Sequence, residues 1–229
     1  MAIVADVAEG LQELREHMVF IGGAMISVYT DDPAADEVRP TTDIDLTINL
    51  GDSYANFVKT EERLRELEFY PDPEGHSICS YKYKNIAIDI MPADDSPIGV
   101  SNSWYKPGFD YLEHVELKEG LTINILSAPY FLATKFEAFE ERGGGVDYYG
   151  SHDFEDIVYV LDNRTTIVKE VRDADDKVKA FLVGNLQKLM ADNQAEVYLE
   201  AHISRLIVQE RLPMLIEKIN AIINNQATS

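Results

Sequence analysis

The sequence predicts an α+β chain, with a mixed-sheet domain over residues 1–126 followed by an α-helical domain over residues 127–229. Three observations predict it. Two short runs, Thr42 to Ile48 and Ile86 to Met91, alternate apolar and polar positions with a period of two, as half-buried strands do. Before the first of them, Val4, Val7, Leu11, Leu14 and Met18 recur at helical spacing. From Ser127 onward the apolar spacing is helical throughout, with no further alternating run.

Taken in order, Val4 to Met18 predicts one amphipathic helix that packs on the sheet. Val19-Phe20-Ile21 reads as a short buried strand, stopped by Gly22-Gly23, after which Ala24 to Val28 begins a helix. A loop from Asp31 to Pro40 leads into the strand carrying Asp43 and Asp45. Tyr54 to Leu67 reads as a helix ending before a turn around Pro71, Pro73 and Gly75. Cys79 to Tyr83 and Asn85 to Met91 form a hairpin pair. The stretch Asp94 to Gly108, rich in Pro, Gly, Ser and Asp and holding the lone tryptophan, Trp104, is irregular. Val115 to Leu117 and Leu121 to Leu126 make a second hairpin about Lys118-Glu119-Gly120. Ser127 suits an N-cap and Pro129 the first turn of a helix whose apolar positions are Leu132, Phe136 and Phe139. Gly143-Gly144-Gly145 interrupts it as a flexible joint, since no Gly-Lys-Ser/Thr follows to make a P-loop. A new helix starts near Ser151, with Phe154, Ile157, Val158 and Leu161 on its apolar face. Later helices follow around Val178 to Leu189, Val197 to Val208 and Met214 to Ile223, with Pro213 separating the last two.

Composition narrows the function classes. A chain of 229 residues with 45% hydrophobic content can bury a substantial core. The single cysteine, Cys79, excludes an internal disulfide framework, and no Cys/His spacing resembles a zinc site. The first residues lack a basic region and apolar core of a signal peptide, and no run approaches a membrane span, so a cytoplasmic location without membrane partners is expected. Forty-one acidic against twenty basic residues give a formal charge of −21, which opposes broad attraction to nucleic acid. A local basic groove stays compatible with that balance.

The chemistry concentrates in three aspartates. Asp43 and Asp45 share one face of their strand while Ile44, Leu46 and Ile48 share the other, and Asp89 opposes Ile86, Ile88 and Ile90 in the same way. Aspartate is depleted in strands, so three placed like this need a reason. Two carboxylates about 4 Å apart repel by roughly 4 kcal/mol at an effective dielectric of about 20, so a cluster needs protons or a cation. Magnesium takes oxygen ligands and keeps positions for water and phosphate oxygens, which suits phosphoryl or nucleotidyl transfer with one or two ions.

Together, Gly22-Gly23, Asp43-Ile44-Asp45 and Asp89 resemble the DNA polymerase β-like nucleotidyltransferase superfamily. Arg39-Pro40-Thr41-Thr42-Asp43-Ile44-Asp45-Leu46, followed by Lys135-Phe136-Glu137-Ala138 and Asp153-Phe154-Glu155-Asp156, resembles the AbiEii-type toxin nucleotidyltransferases, over roughly Val19 to Leu161. The resemblance implies that Asp43 and Asp45 bind magnesium and that Asp89 completes the site or acts as base. It further implies that Gly22 and Gly23 let backbone amides approach a triphosphate, that Lys135 contacts phosphates, and that Asp153, with Asp156, lies in a late acidic motif near the reaction centre. The implied activity is transfer of a nucleoside monophosphate from an NTP to an acceptor hydroxyl. The acceptor is an RNA such as tRNA, a protein or a small molecule, and an antitoxin is the implied regulator. An inactive nucleotide-binding regulatory protein on the same fold is the alternative. Two departures stand out: Gly23 and Ala24 offer no hydroxyl where the superfamily has Gly-Ser, and an acidic insertion at Asp31 to Val38 lengthens the spacing to Asp43.

Each motif residue also has a structural reading. Gly22-Gly23 serves as a tight turn, the Lys135 stem covers apolar surface, and Asp153 and Asp156 suit the first turn of a helix through its macrodipole.

Overall fold

The computed structural model describes residues 1–50, 54–75, 79–93 and 102–224. The chain folds as two compact units, one of residues Met1–Met25 with Arg39–Ser127 and one of Ile26–Val38 with Ala128–Ser229.

In the first unit the described strands are β1 (Met18–Ile21), β2 (Asp43–Ile48), β3 (Phe69–Pro71), β4 (Ser80–Tyr83), β5 (Ile86–Pro92), β6 (Leu112–Lys118) and β7 (Leu121–Leu126). They make one sheet in the order β3-β4-β5-β2-β1-β7-β6. The pairs β2/β5 and β1/β7 are parallel and the others antiparallel. All four residues of central β1 are buried, as a strand covered on both faces requires. On β2 and β5 the aliphatic face is closed, with Ile44, Leu46, Ile48, Ile88 and Ile90 all buried. The mixed-sheet and helical α+β fold expected from periodicity is the fold observed.

Several boundaries differ from the sequence reading. The first amphipathic stretch is an α-helix, α1 (Ala2–Gly10), followed by a separate 3-10 turn over Gln12–His17, because Gln12 takes φ +50 and breaks the α-ladder. Met18 is therefore strand. Phe69 to Pro71, read as the approach to a turn, pairs with β4 as the edge strand, where proline's missing N–H is tolerated. The helix after the glycine turn is a 3-10 helix over Gly23–Tyr29. Helix α2 (Tyr54–Glu66) falls where expected. Of the irregular stretch from Asp94 to Gly108, residues 94–101 lie outside the described residues, and Trp104 precedes a one-turn helix, α3 (Tyr105–Gly108).

The second unit contains α4 (Ala128–Gly143), α5 (His152–Asn163), α6 (Ile167–Asp173), α7 (Asp176–Met190), α8 (Ala195–Glu200) and α9 (Val208–Asn224). Gly144 and Gly145 adopt φ +62 and +66 and end α4, and the Ser151 hydroxyl accepts the Phe154 N–H at 3.3 Å to start α5. Pro213 does not separate two helices. It lies inside α9, near its start, and the carbonyl it leaves without an amide belongs to exposed Gln209, where water can satisfy it. The break falls earlier, between Glu200 and Val208. Among the described residues no helix is long and apolar enough to cross a membrane.

Residues 26–38 belong to this unit for specific reasons. The Tyr29 ring stacks on Phe131 at 4.2 Å between centroids, and Asp31 accepts from the Thr165 backbone N–H at 2.7 Å. Buried Arg211 of α9 donates to Asp32 at 2.5 Å, to both Asp162 oxygens at 3.0 and 3.1 Å, and to Asn163 at 2.7 Å. Two acidic residues of the inserted segment are thus held by internal partners. The Arg211 hydrogen bond keeps the Asp32 carboxyl below its ordinary pKa, so its contribution is present above the unfolded value near ~4 and is lost as pH falls through the lower folded one. Arg211→Leu should lower the unfolding free energy in urea at pH 7 by about 3–5 kcal/mol, because it strands the buried Asp162 carboxylate and the half-buried Asp32. The stability advantage of wild type over Asp32→Asn should shrink below about pH 4 in the same measurement.

Candidate active site

The site begins with strand register. Asp45 of β2 is the register partner of Asp89 on parallel β5, and of Ile21 on β1, while Asp43 is opposite Ala87. Register partners project to one face, so Asp45 and Asp89 stand side by side with Asp43 one pleat along. Asp43 is exposed, and Asp45 and Asp89 are half-buried. The aliphatic side chains between them face the opposite way into the core. The alternation in sequence therefore becomes an acidic face that runs from the start of β2 to the middle of its neighbour β5.

The glycine pair is fitted to this face. Gly22 follows Ile21 directly and takes φ +74, a left-handed conformation that other residues adopt at a cost. A Cβ there would lie within the Asp45 carboxylate, with Asp45 Cγ 2.7 Å and Cβ 2.8 Å away. Gly22 is thus required twice, by its dihedral angle and by the close approach of Asp45. At Gly23 an added Cβ would meet an Arg39 guanidinium nitrogen at 3.0 Å and the Thr41 methyl at 3.0 Å. Arg39, which the motif alone did not single out, brings a cation to the glycine turn that has no hydroxyl.

A second contact missed in the sequence fixes Asp89. Ser80 of β4 is its register partner on the other side, and the buried Ser80 hydroxyl donates to Asp89 Oδ1 at 2.5 Å. No motif marks Ser80; only the pairing of β4 with β5 brings it there. Among the described residues no three His, Cys, Asp or Glu side chains converge on a point as a ready-made metal centre. The donor chemistry nonetheless fits magnesium: Asp43, Asp45 and Asp89 offer only hard oxygens, on one face, with two of the three in register.

The residues expected downstream assemble in the helical unit. Lys135 of α4 is buried, and its Nζ lies 3.1 Å from Asp153 Oδ1 and 2.7 Å from Asp156 Oδ2, both on α5 and both buried. Arg142, at the far end of α4, pairs with the other Asp153 oxygen at 3.1 Å. Two cations and two carboxylates thus bind α4 to α5. Burial alone would push the Lys135 ammonium toward neutrality, but the charges of Asp156 and Asp153 more than reverse this, and its pKa stays above that of a free lysine. Lys135, Asp153 and Asp156 therefore come together as a group, in a different unit from Gly22, Gly23, Asp43, Asp45 and Asp89.

Comparison with known families now bears on this arrangement. The sequence model of the family described as nucleotidyl transferase AbiEii toxin, Type IV TA system, matches residues 7–225. The chain belongs to this family. No curated protein matches it. AbiEii membership covers both units and makes the chain a nucleotidyltransferase of a toxin–antitoxin family, in keeping with the mixed sheet and the helices.

Two outcomes follow from the geometry. Gly22→Ala should cost about 1–2 kcal/mol in a urea titration, from the left-handed backbone, while displacing Asp45 should reduce transfer activity far more than that loss of stability does. Lys135→Ala removes the buried cation that two buried carboxylates share. It should destabilise the fold by about 3–5 kcal/mol, seen as a lowered thermal midpoint.

Proposed function

We propose that this AbiEii-family chain is a magnesium-dependent nucleotidyltransferase that moves a nucleoside monophosphate from an NTP to an acceptor hydroxyl. The observation that carries the reading is the register setting Asp45 beside Asp89, with Gly22 packed against the Asp45 carboxylate. Asp43, Asp45 and Asp89 are the residues that would hold magnesium, which when bound supplies positive charge to the triphosphate and to the departing pyrophosphate.

The remaining work falls to the chain's own groups. Gly22 makes room for the Asp45 carboxylate and Gly23 for the Arg39 guanidinium, which supplies the phosphate donor that a serine supplies elsewhere in the superfamily, beside the backbone amides of the glycine turn. The acceptor oxygen attacks the α-phosphorus, a P–O bond forms, the α–β bridging P–O bond breaks and pyrophosphate leaves. The hydroxyl proton passes to water where Asp89 completes the cation site, or to Asp89 itself where it acts as base, through the oxygen not engaged by Ser80. A phosphate role for Lys135 requires it to exchange Asp153 and Asp156 for phosphate oxygens. Asp153 and Asp156 otherwise act by holding that lysine. We assign the acceptor to RNA in the cytoplasm on the resemblance to the tRNA-modifying members, and the toxin–antitoxin membership supports an antitoxin as regulator. The charge of −21 requires that the RNA be bound through local basic groups, not through overall attraction.

Transfer from each α-labelled NTP into cell extract with magnesium, resolving RNA, protein and metabolite products, tests this reading. Label in RNA with wild type and none with Asp43→Ala/Asp45→Ala is expected. Label in small molecules or protein would reassign the acceptor, and no transfer into any product would favour a nucleotide-binding regulator.

A further inference from the structure

We propose that Ser80 is a positioning residue that commits one oxygen of Asp89 and leaves the other for the reaction; this rests on the nucleotidyltransferase reading of the acidic face.

Ser80 lies on β4, in register with Asp89 on β5, and is 6% exposed. Its hydroxyl donates to Asp89 Oδ1 at 2.5 Å, at the short end of O–H···O⁻ hydrogen bonds. The hydroxyl is held in place from behind. A Cβ on Gly75 would overlap the Ser80 side chain, so the turn after β3 closes tightly over this position. The Gly75 N–H in turn donates to the Asp72 carbonyl at 3.1 Å, which fixes the turn. A side chain so enclosed cannot itself serve as acceptor of a nucleotide, because nothing the size of a triphosphate reaches it. Its hydroxyl acts on Asp89.

That action has a chemical consequence. A carboxylate free to rotate offers two equivalent oxygens and can grip a cation with both. With Oδ1 engaged by a buried donor, rotation of the Asp89 carboxylate is restrained and Oδ2 is the oxygen that Ser80 leaves uncommitted. Orientation of this kind is what groups behind metal ligands and general bases supply, and their loss typically costs about 10- to 100-fold in affinity or activity.

The test compares Ser80→Ala and Ser80→Cys with wild type. Cysteine keeps the volume but is a weak donor, so it separates packing from hydrogen bonding. Three quantities are read: Mn²⁺ affinity by electron paramagnetic resonance, kcat and KM for the NTP, and thermal midpoint. We expect both variants to lose about ten-fold in kcat and in Mn²⁺ affinity, with KM for the NTP within about two-fold of wild type. Ser80→Cys behaving as wild type while Ser80→Ala fails would reduce Ser80 to a packing residue and overturn the proposal. So would wild-type kcat and Mn²⁺ affinity in both variants. Wild type that binds no Mn²⁺ and transfers no nucleotide would instead defeat the underlying nucleotidyltransferase reading, and the positioning role with it.

Discussion

Like charges brought together on a sheet face are the constraint around which the first unit is arranged. Asp45 and Asp89 are in register on adjacent parallel strands with Asp43 one pleat away, and repulsion on such a face has to be met locally. The fold meets it with shape and with donors. Gly22 gives up its side chain and adopts φ +74 so that the Asp45 carboxylate has room, and Ser80 hands a proton donor to Asp89. The aliphatic residues that alternate with the aspartates lock β2 and β5 in place. A slip of one residue would turn Ile44 and Ile88 out and the acids in. Hydrophobic burial on one face therefore enforces the acidic geometry on the other.

The helical unit handles charge differently. Its ionic groups are buried and paired: Lys135 with Asp153 and Asp156, and Arg211 with Asp32 and Asp162. Pairs of this kind contribute little net stability compared with apolar packing, but they are expensive to break and they specify arrangement. The first joins α4 to α5. The second joins α9 to the end of α5 and to the segment that precedes β2, and Lys218 adds donors to the carbonyls of Leu161 and Arg164 at 3.3 and 3.4 Å. The acidic insertion is thereby tied to the helices through Asp31 and Asp32, while Asp36 and Glu37 stay exposed.

What was legible in the sequence follows from what each signal depends on. Period-two alternation depends only on local geometry, so the strands bearing Asp43, Asp45 and Asp89 and their shared face were readable, as were the glycine turn and the restart of helix at Ser151. Why Gly22 must be glycine was not, because the Asp45 carboxylate reaches it from a strand more than twenty residues on. Ser80 carries no pattern at all, since its relation to Asp89 exists only once β4 and β5 pair. The late motif was visible as residue types, yet that Lys135 is enclosed by both of its aspartates depends on how α4 and α5 pack. Pro213 was misread because the carbonyl it abandons belongs to exposed Gln209, where water replaces the lost hydrogen bond and the cost of proline in the helix is reduced. The segment Asp31 to Pro40 read as a loop, and its attachment to the helices through Asp31 and Asp32 rests on partners more than a hundred residues away.

The central claim is that the acidic face binds a triphosphate through a divalent cation held by these aspartates. Calorimetric binding of a non-hydrolysable NTP analogue, with and without magnesium, in wild type and Asp45→Asn, tests it most directly. The account predicts binding by wild type that requires magnesium and is lost in Asp45→Asn while the thermal midpoint is kept. Equal binding by both proteins, or binding indifferent to magnesium, would contradict it.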